Sequence, residues 1–342
     1  MVIHYKCPDC GADMAFDSES GTLLCSSCGR QDKIEDFSED HISAQFSEDE
    51  AKEYHCNNCG ATLITDADTT ATTCSFCGAG VVLSDRLSGV LAPTKVIPFT
   101  VSREEAVQAF KKWCKNGRLT PKDFMTADRI KSITGMYVPF WFYDLNSKVE
   151  ISGIGTKVRK YTRGDYIYTE TKYYDVYRNI NLDYVKVPVD ASEKMNDELM
   201  DKIEPYNYDQ LNNFKTAYLA GYIAEKYNYD SNQLLPRAKA KIDRYIESFI
   251  KGTVSEYVTV NYKQKDIRTN QRRSYYVLLP VWMVSYDFKR SEYIFAMNGQ
   301  TGKVVGKVPI SYGKVAAWFG GIAGTTFLTL KIVSLLLGGG FW

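Results

Sequence analysis

The chain has 342 residues, 44% hydrophobic and 24% charged, with a formal net charge of +1. That is the composition of a folded protein with room for two or three domains, too large to be a small disulfide-stapled scaffold. The charge is unevenly split: residues 1–90 carry a net −11 and the remainder +12. An N-terminal part this acidic argues against nucleic-acid binding there, which relies on a basic surface.

That acidic part carries one cysteine frame written twice. Cys7-Pro8-Asp9-Cys10-Gly11 is followed after thirteen residues by Cys25-Ser26-Ser27-Cys28-Gly29. Cys56-Asn57-Asn58-Cys59-Gly60 and Cys74-Ser75-Phe76-Cys77-Gly78 repeat the spacing 49 positions later, an internal duplication. In each C-x-x-C-G turn two thiolates can face one metal, and the glycine lets the backbone pass behind with positive φ. Two turns make a closed tetrahedral four-thiolate site, the structural arrangement zinc prefers. The expectation is two structural Zn2+ sites, Cys7/Cys10/Cys25/Cys28 and Cys56/Cys59/Cys74/Cys77. Iron is the minor alternative for the same sulfurs. A redox pair or a disulfide framework fits less well, because four pairs fall in two matched frames and no secretory signal precedes them. Each four-thiolate zinc centre adds roughly −2 to an already acidic segment. The ninth cysteine, Cys114, falls on the apolar side of a predicted helix and reads as a buried thiol.

The expected organisation is a first ribbon over 1–30, an acidic connector over 31–54, a second ribbon over 55–83 and a linker over 84–98. An α+β domain over 99–312 and a C-terminal membrane segment over 315–342 follow. A helix starts at Ser102, which forms a capping box with Glu105, and Ala106, Phe110 and Trp113 share its apolar face. A second helix opens at Thr120-Pro121. Strands are expected over 137–144, 149–161 and 166–176, the last with the Tyr/Thr alternation of an antiparallel sheet with one wet face. Helices are expected over 192–203, 209–226 and 231–250, the last broken near its start by Pro236. Strands return over 254–262, 275–286, 293–297 and 303–308. The overall fold class is α+β, with a central antiparallel sheet plus helices.

Two nucleotide-site lookalikes fail on spacing. Gly299-Gln300-Thr301-Gly302-Lys303 has two residues between its glycines where a Walker loop needs four, and Val304 follows the lysine. Gly153-Ile154-Gly155 lacks the third glycine of a dinucleotide fingerprint. No catalytic or organic-cofactor residues are identified, and the chain reads as a non-enzyme. The basic run Lys263, Lys265, Arg268, Arg272 and Arg273 is the one feature that favours a nucleic-acid partner; a solvated hairpin, or a surface near anionic lipid, accounts for it better.

Residues 315–342 carry a single charge, Lys331, and are flanked by Trp318-Phe319 and Phe341-Trp342. The two tryptophans are 24 residues apart, about 36 Å as a helix, which matches a bilayer with its interfaces. Lys303, Lys307 and Lys314 precede the segment, so the positive-inside bias places the body in the cytoplasm of a single-pass protein at the cell membrane. Lys331 would cost roughly 2.5–3.5 kcal/mol near mid-membrane, which keeps an interfacial placement open. Gly320, Gly321, Ala323 and Gly324 suit helix–helix contact and a homo-oligomer.

The two ribbons, the strand 138–144 (VPFWFYD), the segment 219–227 (LAGYIAEKY) and the stretches LPVWM and FAMNGQTGKVVG within 279–306 together resemble a known family over nearly the whole chain. It is the bacterial TFIIB-type zinc-ribbon membrane proteins of the YdjG type. The resemblance implies a membrane-anchored adaptor that recruits cytoplasmic proteins in envelope stress, with phage-shock protein A-like and SPFH-domain proteins as partners. Only the eight cysteines carry over as site residues. The primosomal-helicase label sometimes attached to the family finds no Walker loop here. A zinc-ribbon module for nucleic acid, in transcription or replication, is the alternative reading.

Overall fold

The computed structural model describes residues 2–3, 5–36, 52–56, 62–65, 69–73, 79–83, 92–116, 119–121, 124, 133–288 and 291–336. In chain order, β1 (Val2–Ile3) precedes a small sheet of β2 (Met14–Asp17), β3 (Thr22–Cys25) and β4 (Gln31–Asp32). A separate pair, β5 (Lys52–His55) and β6 (Thr62–Thr65), follows, and then β7 (Thr69–Thr73), β8 (Gly80–Leu83) and β9 (Lys95–Val96). Next come α1 (Arg103–Asn116), β10 (Thr134–Arg163), β11 (Tyr166–Asp190), α2 (Asp197–Ile203), β12 (Asn212–Asn213) and β13 (Ile223–Glu225). The chain continues through α3 (Ser231–Thr253), β14 (Thr259–Phe288), β15 (Ser291–Asn298), β16 (Val304–Gly306) and α4 (Tyr312–Leu336). The α+β expectation holds.

Three strands dominate. β10 and β14 have 30 residues each and β11 has 25. At about 3.3 Å per residue β10 is on the order of 100 Å long. It pairs antiparallel with β11 on one side and β14 on the other. Sequence reasoning broke both long strands, because irregular residues interrupt the alternation: the ladders shift register at Tyr143/Leu145, Asp144/Leu145 and Ser152/Gly153. Gly153 is required there, since a Cβ would strike the backbone of Asn261 and Tyr262. The two Pro-containing motifs face each other across this ladder, with Val138 opposite Leu279. Each motif's tryptophan donates its indole N–H to a backbone carbonyl, Trp141 to Tyr229 and Trp282 to Val101, both at 2.9 Å.

One face of the long sheet is covered by α3, whose Ala238, Ile242, Ile246 and Ile250 pack with Leu145, Val149, Ile151 and Val176. Asp230 caps this helix in a full capping box with Gln233. Pro236 lies within the continuous helix and does not break it. The expected helix over 209–226 is absent. That stretch forms two 3-10 turns, β12, and β13, which runs parallel to β10. Gly221, at φ +89, ends the helical geometry, and the buried Tyr218, Leu219, Ala220 and Tyr222 serve a docking surface instead. The helix expected over 192–203 is confined to α2. The capping box of α1 forms as expected, with Ser102 N–H to Glu105 Oε2 at 2.9 Å and Glu105 N–H to Ser102 Oγ at 3.3 Å. Cys114 is buried on that helix. The helix expected from Thr120 falls largely outside the described residues.

The second cysteine frame is tied into the body. β7 and β8 belong to the eleven-stranded main sheet, where β7 pairs with β13 and β8 with β1. β9, inside the expected linker, runs parallel to β14 at Val277 and Leu278.

α4 starts with the Ser311 N–H on Leu119 O at 2.7 Å and Lys314 Nζ on Thr120 O at 2.6 Å. Beyond this start nearly all of its described side chains are exposed. Among the described residues it is the one helix long and apolar enough to cross a membrane by length and composition, over Tyr312–Leu335, and none of its apolar window is buried. Its Thr325, Thr326 and Thr329 hydroxyls turn back onto carbonyls of the same helix, satisfying them without water.

Candidate metal centre

The first cysteine frame folds as its spacing demands. In each knuckle the glycine N–H returns to the carbonyl of the first cysteine, Gly11 to Cys7 and Gly29 to Cys25, both at 2.9 Å. Both glycines hold positive φ, +72 and +79. Cys7 N–H bonds Ala12 O at 2.8 Å and Cys25 N–H bonds Arg30 O at 2.9 Å, so the two turns are copies of one geometry. They bring four sulfurs together: Cys7 to Cys28 and Cys10 to Cys25 at 3.5 Å, all four within 4.8 Å. Sulfurs on a tetrahedral zinc with bonds of about 2.3 Å would lie about 3.8 Å apart, so the set fits the ion.

The electrostatics point the same way. The Cys28 N–H directed at Cys25 Sγ brings that thiol down to about 6. Arg30 N–H favours the Cys28 thiolate, but hydrogen bonding with Cys7, Cys10 and Cys25 outweighs it and pushes Cys28 up to about 12. Four thiolates this close are unfavourable without a cation, and a divalent ion resolves the conflict. Cys7 and Cys25 are buried and Cys10 and Cys28 exposed. Four protein sulfurs fill the tetrahedron and leave no position for a substrate.

Ribbon 1 is fastened to the body through β2. Phe16 N–H bonds Ala220 O at 3.0 Å, and the Phe16 ring meets Tyr218 edge-on at 5.4 Å and Tyr222 at 6.4 Å. Tyr5 and Thr216 share a hydroxyl hydrogen bond, and Lys215 Nζ reaches Ile34 O at 3.5 Å. Tyr222 stacks on Phe99 at 4.2 Å, which carries the contact to Tyr137 and Trp282 in the sheet. The sequence signal for this dock is the apolar run at 217–224, whose spacing suits a helix equally well.

Of the second frame, Cys56 is buried beside Tyr54, Val81 and Leu83. Cys59, Cys74 and Cys77 lie outside the described residues. The basic run is largely spent on ion pairs: Lys265 with Glu247, Arg268 with Asp266, Arg272 with Asp183 and Arg273 with Asp144. The lookalike loop at 299–303 is a hairpin turn in which Asn298 Oδ1 accepts the N–H groups of Gln300 and Thr301, both at 2.9 Å.

Comparison with known proteins agrees with this geometry. A family described as TFIIB zinc-binding matches residues 5–43, which include the four-sulfur site. The whole chain is 69% identical over 341 residues to the uncharacterized protein YdjG of Bacillus subtilis (strain 168), covering 100% of both chains. No solved structure matches. With its TFIIB-type zinc ribbon docked on a long-stranded α+β body, the chain belongs to the family of YdjG.

Proposed function

We propose that this protein is a non-enzymatic, zinc-bearing adaptor anchored in the cell membrane by α4, with its body in the cytoplasm, and that it gathers cytoplasmic partner proteins there. The observation that carries the reading is α4 itself: twenty-five residues whose only charges are Lys314 at the start and Lys331, tied to the body at that start by two hydrogen bonds, with none of the apolar window buried among the described residues. A helix of that kind in a water-soluble protein would expose a costly apolar surface. The closed cysteine site holds shape and leaves no position for a substrate, which suits display of a surface. Envelope stress is the setting the resemblance suggests, with phage-shock protein A-like and SPFH-domain proteins as the first partners to try.

A second zinc site at Cys56, Cys59, Cys74 and Cys77 belongs to the same proposal. Its support is the repeat of strand order: β6, β7 and β8 fall close to 49 positions after β2, β3 and β4.

The test is capture in cells of the full chain, a chain ending at Ser311, and a Cys7→Ser/Cys10→Ser chain. The adaptor reading expects cytoplasmic partners to sediment with membranes only when α4 is present, and less when ribbon 1 is unmade. Equal sedimentation of partners in all three would sink it. The TFIIB description favours a second reading, a nucleic-acid module. DNA binding with a steep salt dependence, lost on neutralising Lys263, Arg268 and Arg272, would bring that reading forward.

A further inference from the structure

The two open edges of the long three-stranded sheet are built differently. The free edge of β14, over 259–274, carries Lys263, Lys265, Arg268, Arg272 and Arg273. Charges of this kind are how proteins protect an unpaired edge from joining another chain. The free edge of β11 carries fewer cations and a mixture of signs, Glu170, Lys172, Asp175, Arg178 and Asp183. Among the described residues β11 pairs only with β10, in unbroken register from Leu145↔Tyr184 to Arg163↔Tyr166, and nothing lies on its other side. Over 166–184 its only cations are Lys172 and Arg178, and the rest is rich in tyrosine, threonine and β-branched residues.

Apolar exposure collects along the same edge. Tyr166, Ile167, Tyr173 and Tyr177 of β11 are 57–75% exposed, and Tyr245 and Phe249 of α3 are exposed near the 182–184 end of the strand. Between α3 and the edge runs a groove of about 660 Å³, lined by Leu182, Tyr184, Tyr245 and Phe249 among others. A long unpaired strand edge with exposed aromatic residues, running past an apolar groove, is a surface for an added strand.

The charges along β11 are compatible with a second copy as that strand. Two copies of 170–184 running antiparallel about Tyr177 place Glu170 opposite Tyr184, Lys172 opposite Leu182 and Asp175 opposite Asn179. Arg178 then faces Val176 and Asp183 faces Thr171, so no like charges meet. Moving the centre to Arg178 sets two guanidinium groups face to face, and moving it to Asn179 opposes Asp175 with Asp183. In the Tyr177 register both α3 helices lie on one side, and Tyr174 of each copy falls beside Ile180 of the other, near the groove. We infer that the β11 edge is a two-fold interface through which a second copy of this chain pairs, strand to strand, so that the long strands of both copies form one continuous sheet.

The test uses the full chain in detergent or nanodiscs, with sedimentation and amide hydrogen exchange followed against protein concentration. Dimers are expected, with slowed exchange over 170–184 as concentration rises. Tyr177→Lys, which sets two like charges opposite each other at the axis of an exposed position, is expected to weaken the dimer at least about tenfold. Tyr177→Thr, which keeps strand propensity without a charge, is expected to weaken it less, and both variants should retain zinc and the β10–β14 exchange protection. Gly321→Leu with Gly324→Leu in α4 is expected to leave the edge protection in place. The inference is overturned by exchange over 170–184 that ignores concentration, by a dimer indifferent to Tyr177→Lys, or by edge protection that appears only when a different protein is added.

Discussion

Replacing Phe16 with alanine separates docking of the zinc ribbon from its folding. Phe16 sits on β2, 4% exposed, opposite Leu23 of the ribbon and with its ring against Tyr218 and Tyr222 of the body. A buried phenylalanine truncated to alanine costs about 3–5 kcal/mol, of which the aromatic contacts supply about 0.5–1.5 kcal/mol per pair. The backbone bond from Phe16 to Ala220 and the Tyr5–Thr216 bond remain, each contributing about 1 kcal/mol net. The ribbon's internal fold rests on the metal and the knuckle turns, so the loss should fall on the ribbon–body contact. At about 1.4 kcal/mol per decade, a loss of 3–4 kcal/mol speeds local opening by roughly two to three orders of magnitude. Amide hydrogen exchange reads this directly. The Phe16 amide and those of 217–224 should exchange faster by that factor, while β10, β11 and α3 keep their protection and the metal content stays unchanged. Unchanged exchange at 217–224 would refute the dock. Loss of metal would refute the claim that the ribbon folds independently of its contact.

Three further predictions follow from buried chemistry. Asp190 is 1% exposed; burial pushes its carboxyl up to about 7, against a helping N–H from Ser192, and Oδ2 has no hydrogen-bond partner among the described residues. The folded state therefore holds a proton that the unfolded chain, with a carboxyl near 4, gives up, so stability falls as pH rises from about 4 to 7. Asp190→Asn should raise the melting temperature at pH 8 and change it little at pH 5; a lower Tm at pH 8 would contradict this. Gly153→Ala must push the β14 backbone aside at the register shift, and an unfolding titration should show a loss of about 1–3 kcal/mol. Cys7→Ser should remove one metal ion per chain and open 5–36 to proteolysis while the β10–β14 ladder keeps its exchange protection.

The first metal site was fully legible, because C-x-x-C-G spacing determines the geometry locally and the metal does the rest. The capping box at Ser102 was legible for the same reason. The long strands were not, since a register shift breaks the period-two signal wherever one residue is added to a strand. The 217–224 segment has helix-like apolar spacing, but its burial is against a zinc ribbon 200 residues earlier in sequence, a contact no local pattern encodes. The tie of the second frame into the main sheet was likewise invisible. Deleting residues 1–83 would therefore remove β1, β7 and β8 from the main sheet along with the ribbons, so cysteine substitutions are the cleaner perturbation.

The central claim is a metal-built, membrane-anchored body, and carbonate extraction of membranes tests it most directly, with metal assayed on the full chain and on a chain ending at Ser311. The account predicts that the full chain stays with the membrane pellet, that the shortened chain is released in soluble form, and that both carry two zinc ions. Full chain released into the carbonate supernatant, or a shortened chain that loses its zinc, would contradict it.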